Sequence, residues 1–212
     1  MNLYKLLTQR AANDNPVRVG LIGCGKFGTM FLTQALQTKG LHVVGIADLN
    51  TERAQHNLST AGWDRSRFDA KSLDAAFQSG TTYVGDDAAA LIAYERLDVI
   101  IEATGIPRAG IEHCRRAIHA GHHVVMVSVE ADVVAGPLLA REAAAAGVVY
   151  SLAWGDQPAL VCEHVDWARA CGFEVVCAGK GTRYHPDYHQ LTPDTVWDVL
   201  RQYLDIEDPQ SI

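Results

Sequence analysis

The feature that most constrains this chain is Gly23-Cys-Gly-Lys-Phe-Gly28, a G-x-G-x-x-G placed between an apolar run, Val17–Ile22, and a helical pattern starting at Lys26. A second apolar run, 41–47, leads into Asp48, 20 residues beyond Gly28. Strand, glycine turn, helix, strand and acidic residue in that order form the dinucleotide-binding fingerprint. Gly23 permits the tight turn, Gly25 lets a pyrophosphate approach the backbone, and Gly28 lets the helix pack close to the sheet. Lys26 and Phe27 lie between these glycines, in the first turn of the helix, whose free N–H groups favour phosphate. Asp48 is expected to accept hydrogen bonds from the adenosine ribose. Its charge repels a 2′-phosphate and so favours NAD. Arg53, five residues on, either lies on a solvated helix face or pairs with such a phosphate, which leaves NAD versus NADP open.

The rest of the pattern agrees with one fold. Apolar runs expected as strands at 97–103, 122–127 and 148–151, with a short one at 82–84, alternate with helical stretches at 26–39, 51–61, 73–78, 87–94 and 107–120. A further helix is expected to open at Pro137 and end at Gly147. Gly40, Gly62, Gly121 and Gly147 each follow a helical stretch, where a left-handed residue commonly ends a helix. The strands are continuously apolar, as parallel strands covered on both faces are. The expectation is a doubly wound α/β sheet over 17–153, preceded by an N-terminal helix within 1–16. From 154 to 212 the texture changes to a helix reaching Cys171, a strand at 173–178, a loop with Pro186 and Pro193, and a final helix at 195–204.

Composition excludes several classes. The 212 residues carry a net charge of −7 and no Lys/Arg run, so the electrostatic footprint of a nucleic-acid binder is missing. No apolar stretch approaches the ~20 residues of a membrane span. No signal pattern opens the chain, and a cytoplasmic location is the default expectation. The five cysteines show no C-x-x-C and no zinc spacing. They read as mostly buried, reduced thiols. His185-x-Asp187-x-His189 in a proline-containing loop reads as a solvated turn rather than a metal site.

Two further positions fall at strand ends, where ligands of such sheets bind. Thr104-Gly105 after the fourth strand offers a hydroxyl and bare backbone to the cofactor. Ser128 and Glu130 after the fifth emerge toward the nicotinamide end, with Glu130 equally readable as a helix-start carboxylate.

Longer strings extend the fingerprint: Ile101-Glu-Ala-Thr-Gly105, Val129-Glu-Ala-Asp132, Tyr150-Ser-Leu-Ala-Trp-Gly-Asp-Gln-Pro-Ala159, Ala178-Gly-Lys-Gly-Thr182 and Thr192-Pro-Asp-Thr-Val-Trp197. With them, and with the leader Met1–Leu7, the chain resembles the homoserine-dehydrogenase-like oxidoreductases that carry a C-terminal SAF domain. One branch of that family resembles a reductoisomerase acting on 1-deoxyxylulose 5-phosphate with NADPH. The resemblance implies an NAD(P)-dependent enzyme moving a hydride to or from a small polar, in one branch phosphorylated, carbonyl or hydroxy substrate. It also implies that 154–212 begins a substrate domain left incomplete here, because family members are longer. Ser128 stands where the family has asparagine. By comparison with homoserine dehydrogenases, Gly155-Asp-Gln-Pro158 and Gly179-Lys-Gly-Thr182 lie near nicotinamide and substrate. Lys180 is the first choice for a substrate-orienting or proton-transferring group. Asp156 is a second candidate, or a helix cap. The alternatives are a module that binds NAD(P) without turnover, and a subunit whose site a partner or second copy completes.

Overall fold

The computed structural model describes residues 2–154, 157–179, 186–192 and 194–199. The chain divides into two compact units, residues 1–160 and 161–212.

The first unit is built on six strands: β1 (Val17–Ile22), β2 (Leu41–Ala47), β3 (Tyr83–Gly85), β4 (Val99–Glu102), β5 (His123–Met126) and β6 (Tyr150–Leu152). They form one sheet in the order β3-β2-β1-β4-β5-β6, and every pairing is parallel. The helices are α1 (Leu3–Ala12), α2 (Lys26–Ala35), α3 (Thr51–Thr60), α4 (Leu73–Ser79), α5 (Ala88–Ile92), α6 (Pro107–His119) and α7 (Val129–Ala146), with α8 (Gln157–Ala170) after β6. The order reverses between β1 and β4, which makes their carboxyl ends the switch point of a doubly wound fold.

The strands are largely apolar because both faces are covered, with Arg18 and His42 near the starts of β1 and β2 and Glu102 at the end of β4 as exceptions. Val19 and Leu21 of β1, Val43 and Ile46 of β2, and Ile101 of β4 pack with Leu32, Leu58, Trp63 and Phe68 in one layer. Ile22, Val44, Ile100 and Met126 pack with Leu91, Ile118 and Leu139 in the other. At the carboxyl edge the ladder continues one residue past each strand: Gly23 N–H donates to Ala47, Ala103 to Ile22, Asp48 to Gly85 and Val127 to Glu102. Gly23, Asp48, Ala103 and Val127 are thereby held side by side.

Four expectations are corrected. Pro137 does not open a helix; it lies inside α7, which begins at Val129 after Ser128. The start signal is electrostatic: Glu130 and Asp132 in the first turn favour the positive end of the helix. The ring leaves the Val133 carbonyl without its helical donor, at a segment where Val133 and Val134 are exposed and water is available. The second helix stops at Ala35 rather than Lys39, and Gln37 and Thr38 close tight turns onto Gln34 and Ala35. Residues 173–179 form no strand, because no neighbouring strand pairs with them among the described residues. Cys24 and Cys114 are buried, but Cys162, Cys171 and Cys177 of the second unit are exposed; an apolar setting in sequence did not place them in a core. In that unit α8 runs on to Ala170, a turn follows, and residues 196–199 are helical. Among the described residues no helix is long and apolar enough to cross a membrane.

Candidate functional site: the carboxyl edge at β1, β2 and β4

The glycine turn is shaped by close approach. Gly23 has φ +93°, and a Cβ there would meet the Ala103 carbonyl oxygen at 2.6 Å. A Cβ on Gly28 would meet the Gly23 carbonyl oxygen at 2.6 Å, which is why α2 can start so near the end of β1. Gly25 differs: at φ −78° it is the N-cap of α2, and a Cβ there would meet nothing within 4 Å. No side chain caps this helix, and no acidic residue lies in its first turn. Its leading N–H groups and partial positive charge face the outside of the turn, the arrangement that holds phosphate.

Asp48 is almost fully buried and clamps this turn. Its Oδ2 accepts from the Cys24 N–H at 2.7 Å and its Oδ1 from the Asn50 N–H at 2.8 Å. Arg53 Nη2 donates to Oδ1 at 3.0 Å and approaches Oδ2 at 3.3 Å. Arg53 is therefore not a bare solvated residue; it offsets the Asp48 charge while its side chain remains 56 % exposed. A ribose hydroxyl seeking Asp48 would share the carboxylate with Arg53. Burial, reinforced by the Asp48 charge, pushes the Cys24 thiol up to about 11, so it stays protonated and takes no nucleophilic part at neutral pH.

Lys26, Arg53, Gly25, Thr29 and Asn57 meet at a cavity of about 540 Å³ between α2 and α3. Phe27, 40 % exposed, does not line it. Asn57 donates from Nδ2 to the Cys24 carbonyl at 2.7 Å and so ties α3 to the glycine turn. Nothing in the sequence singled out Asn57.

Across the switch point, Thr104 and Gly105 follow β4. Thr104 Oγ1 donates to Glu102 Oε1 at 2.6 Å and accepts from Ile106 N–H at 3.3 Å. Its proton is committed inward, so it offers a ligand an acceptor rather than a donor. Glu102 is fully buried, has His113 Nδ1 3.3 Å from Oε1, and leaves Oε2 without a partner. This second residue was also overlooked, although a lone carboxylate inside Val-Ile-Ile-Glu-Ala was a usable signal. Gly105 is exposed at φ +70°. Glu130 is exposed in the first turn of α7, where its Oε2 accepts from Ser128 Oγ at 3.3 Å. The structure thus gathers Gly23, Gly25, Lys26, Gly28, Asp48 and Arg53 at the β1–β2 ends. It puts Thr104, Gly105 and Glu130 at the neighbouring strand ends. Asp156, Lys180 and His185 lie outside the described residues.

These features fit a dinucleotide. A close turn, an uncapped helix start and an anchored carboxylate stand together, and Gly25 has open space where a side chain would project.

Comparison with known proteins agrees. Residues 17–127 match the model of an oxidoreductase family with an NAD-binding Rossmann fold, and residues 155–206 match that of the oxidoreductase DRL catalytic domain. No curated protein matches the chain. Similar solved structures include a homoserine dehydrogenase from Thiobacillus denitrificans, at 21% identity and TM-score 0.51, covering 65% of this chain and 29% of that one. Another is a biliverdin reductase from Synechocystis sp. PCC 6803 in complex with biliverdin and NADP+, at 19% identity and TM-score 0.52, covering 74% and 43%. A third is an NAD binding oxidoreductase from Klebsiella pneumoniae, at 19% identity and TM-score 0.52, covering 74% and 39%. The chain therefore spans less than half the length of each of these structures, and at such identities the likeness shows the fold. The match over 17–127, more than half of the chain, together with the fingerprint geometry, shows that this chain belongs to the oxidoreductase family with an NAD-binding Rossmann fold.

Proposed function

We propose that residues 17–153 hold NAD or NADP for an oxidoreductase similar to homoserine dehydrogenases, and that 154–212 begin its substrate domain. The observation that carries this reading is the Asp48 carboxylate locked onto the Cys24 N–H beside the uncapped start of α2. The DRL catalytic-domain match over 155–206 supports the second part. The remainder of the substrate domain and an SAF domain belong to the same proposal.

In this reading Gly23 and Gly28 shape the turn, and the backbone at Gly25, Lys26 and Phe27 binds the pyrophosphate. Asp48 and Arg53 hold the adenosine ribose, with Arg53 and Lys26 able to take a 2′-phosphate. Thr104 and Gly105 line the nicotinamide half, with the Thr104 oxygen as acceptor. When bound, the nicotinamide supplies hydride chemistry. Lys180 orients a small polar substrate and polarises its carbonyl through its ammonium, and Glu130 and Asp156 are the candidate carboxylates for moving a proton. A phosphorylated substrate, as in the reductoisomerase-like branch, would use the same ammonium.

The test is titration of the 212-residue chain with NADH and NADPH, following tryptophan quenching and nicotinamide fluorescence. Saturable binding that is lost in Gly25→Val supports the reading. Failure of both nucleotides to bind overturns it. Binding without turnover in any substrate screen, together with a silent Lys180→Ala, would leave a nucleotide-binding module.

A further inference from the structure

The other end of the sheet carries a cavity of about 550 Å³ that the cofactor reading does not use. It lies at the amino ends of β1 and β2, where Arg18 and His42 stand near the strand starts. Six residues of β1, at ~3.3 Å each, put it roughly 20 Å from the glycine turn. Its volume is in the ordinary range for small-molecule sites.

The chemistry of its wall is cationic. Arg18 lies 5.0 Å over the Phe77 ring and Arg67 lies 5.2 Å over the Trp63 ring. Stacking of this kind occupies the face of a guanidinium and leaves its in-plane N–H donors for other partners. Four arginine–carboxylate ion pairs occur among the described residues, yet neither of these arginines joins one. Arg18 Nη1 has only the neutral Asn15 Oδ1, at 3.2 Å. His42 lines the same cavity, with Nε2 2.7 Å from the Thr81 carbonyl. Burial, with the Arg18 charge adding to it, lowers the imidazole's affinity for protons, so His42 is neutral at pH 7. Asp14 is the one carboxylate in the wall. Asp98, which accepts from the Arg18 backbone N–H at 2.8 Å, is offset by Arg10 at 3.7 Å, so two guanidinium groups against one carboxylate in the wall leave a net positive, partly sheltered cavity. Planar guanidinium donors suit carboxylate and phosphate oxygens.

We propose that this cavity is a second ligand site, separate from the dinucleotide site, which takes a small carboxylate or phosphate anion through Arg18 and Arg67. The proposal stands independently of the oxidoreductase reading.

The experiment is NMR on the 212-residue chain labelled at tryptophan and histidine, titrated at constant ionic strength with inorganic phosphate and, separately, with citrate. Saturable shifts of the Trp63 indole N–H and the His42 ring are expected for at least one anion, and which one responds separates a phosphate ligand from a carboxylate ligand. The His42 titration midpoint should rise in the complex, because a bound anion offsets Arg18. Arg67→Gln, a change at an exposed side chain, should weaken the effect at least tenfold. Arg115→Gln, on α6, should not. Shifts that stay linear with both anions, that persist in Arg67→Gln, or that saturating NADH abolishes would overturn the proposal.

Discussion

The Asp48 carboxylate and the Cys24 backbone N–H meet at 2.7 Å, joining the end of β2 to the middle of the glycine turn. Asp48 is thus a structural clamp before it is a ligand contact. A buried, charge-assisted hydrogen bond of this type contributes about 1.5–3 kcal/mol. Asp48→Ala should lower stability by about that amount and weaken both nicotinamide nucleotides. Asp48→Asn, which keeps an acceptor, should lose less. Urea unfolding beside nucleotide titration checks both, and an Asp48→Ala protein as stable as the parent would show that the clamp is idle.

Arg53 offsets the Asp48 charge, so the acidic residue does not by itself impose NAD. Removing one charge-assisted contact to a 2′-phosphate is expected to cost about tenfold in affinity, or ~1.4 kcal/mol. Arg53→Ala should therefore weaken NADPH about tenfold and NADH distinctly less. The reading is wrong if the two nucleotides change in parallel.

The glycines separate folding from binding. Gly23→Ala sets a side chain at φ +93° and 2.6 Å from the Ala103 carbonyl oxygen, so a stability loss of about 1–3 kcal/mol is expected. Gly25→Ala meets no atom within 4 Å. It should melt like the parent and bind nucleotide poorly. Thermal melting paired with titration distinguishes the two, and an unstable Gly25→Ala would contradict the geometry.

Alkaline pH should unfold the protein early. Burial raises the Cys24 thiol from 9.0 to about 11, and burial also raises the Cys114 thiol and the Tyr150 hydroxyl, the latter bonded to Asp132 at 2.7 Å. Above pH 9 the unfolded chain releases these thiol protons while the folded chain keeps them. The stability they contribute is complete below pH 9 and is lost as pH rises through the folded values, for Cys24 by about 11. Urea midpoints between pH 8 and 11 should fall, and Cys24→Ala should flatten the fall. At pH 8 a thiol reagent should label Cys162, Cys171 and Cys177 quickly, and Cys24 and Cys114 only on unfolding.

Much of the fold was legible because its signals are local. Val17–Ile22 and Leu41–Ala47 match the observed strands residue for residue, since each is a largely apolar run that starts directly after a proline or a glycine. The α7 start was misplaced because Pro137 resembles a start signal, whereas the acidic first turn acts electrostatically and is quieter in sequence. Residues 173–178 read as a strand on composition, but a strand exists only where a partner supplies its ladder.

What the sequence alone determined is the doubly wound class and the position of the dinucleotide turn. Glycine spacing and strand periodicity are short-range constraints that the chain carries in itself. Only the tertiary structure decided how the charges are used. It paired Arg53 with Asp48, locked Asp48 to Cys24, brought Asn57 beneath the same turn, buried Glu102 under Thr104, and left Arg18 and Arg67 without an ion pair among the described residues at the far end of the sheet. Those arrangements depend on which helices pack against which strand ends, and no spacing along the chain records that.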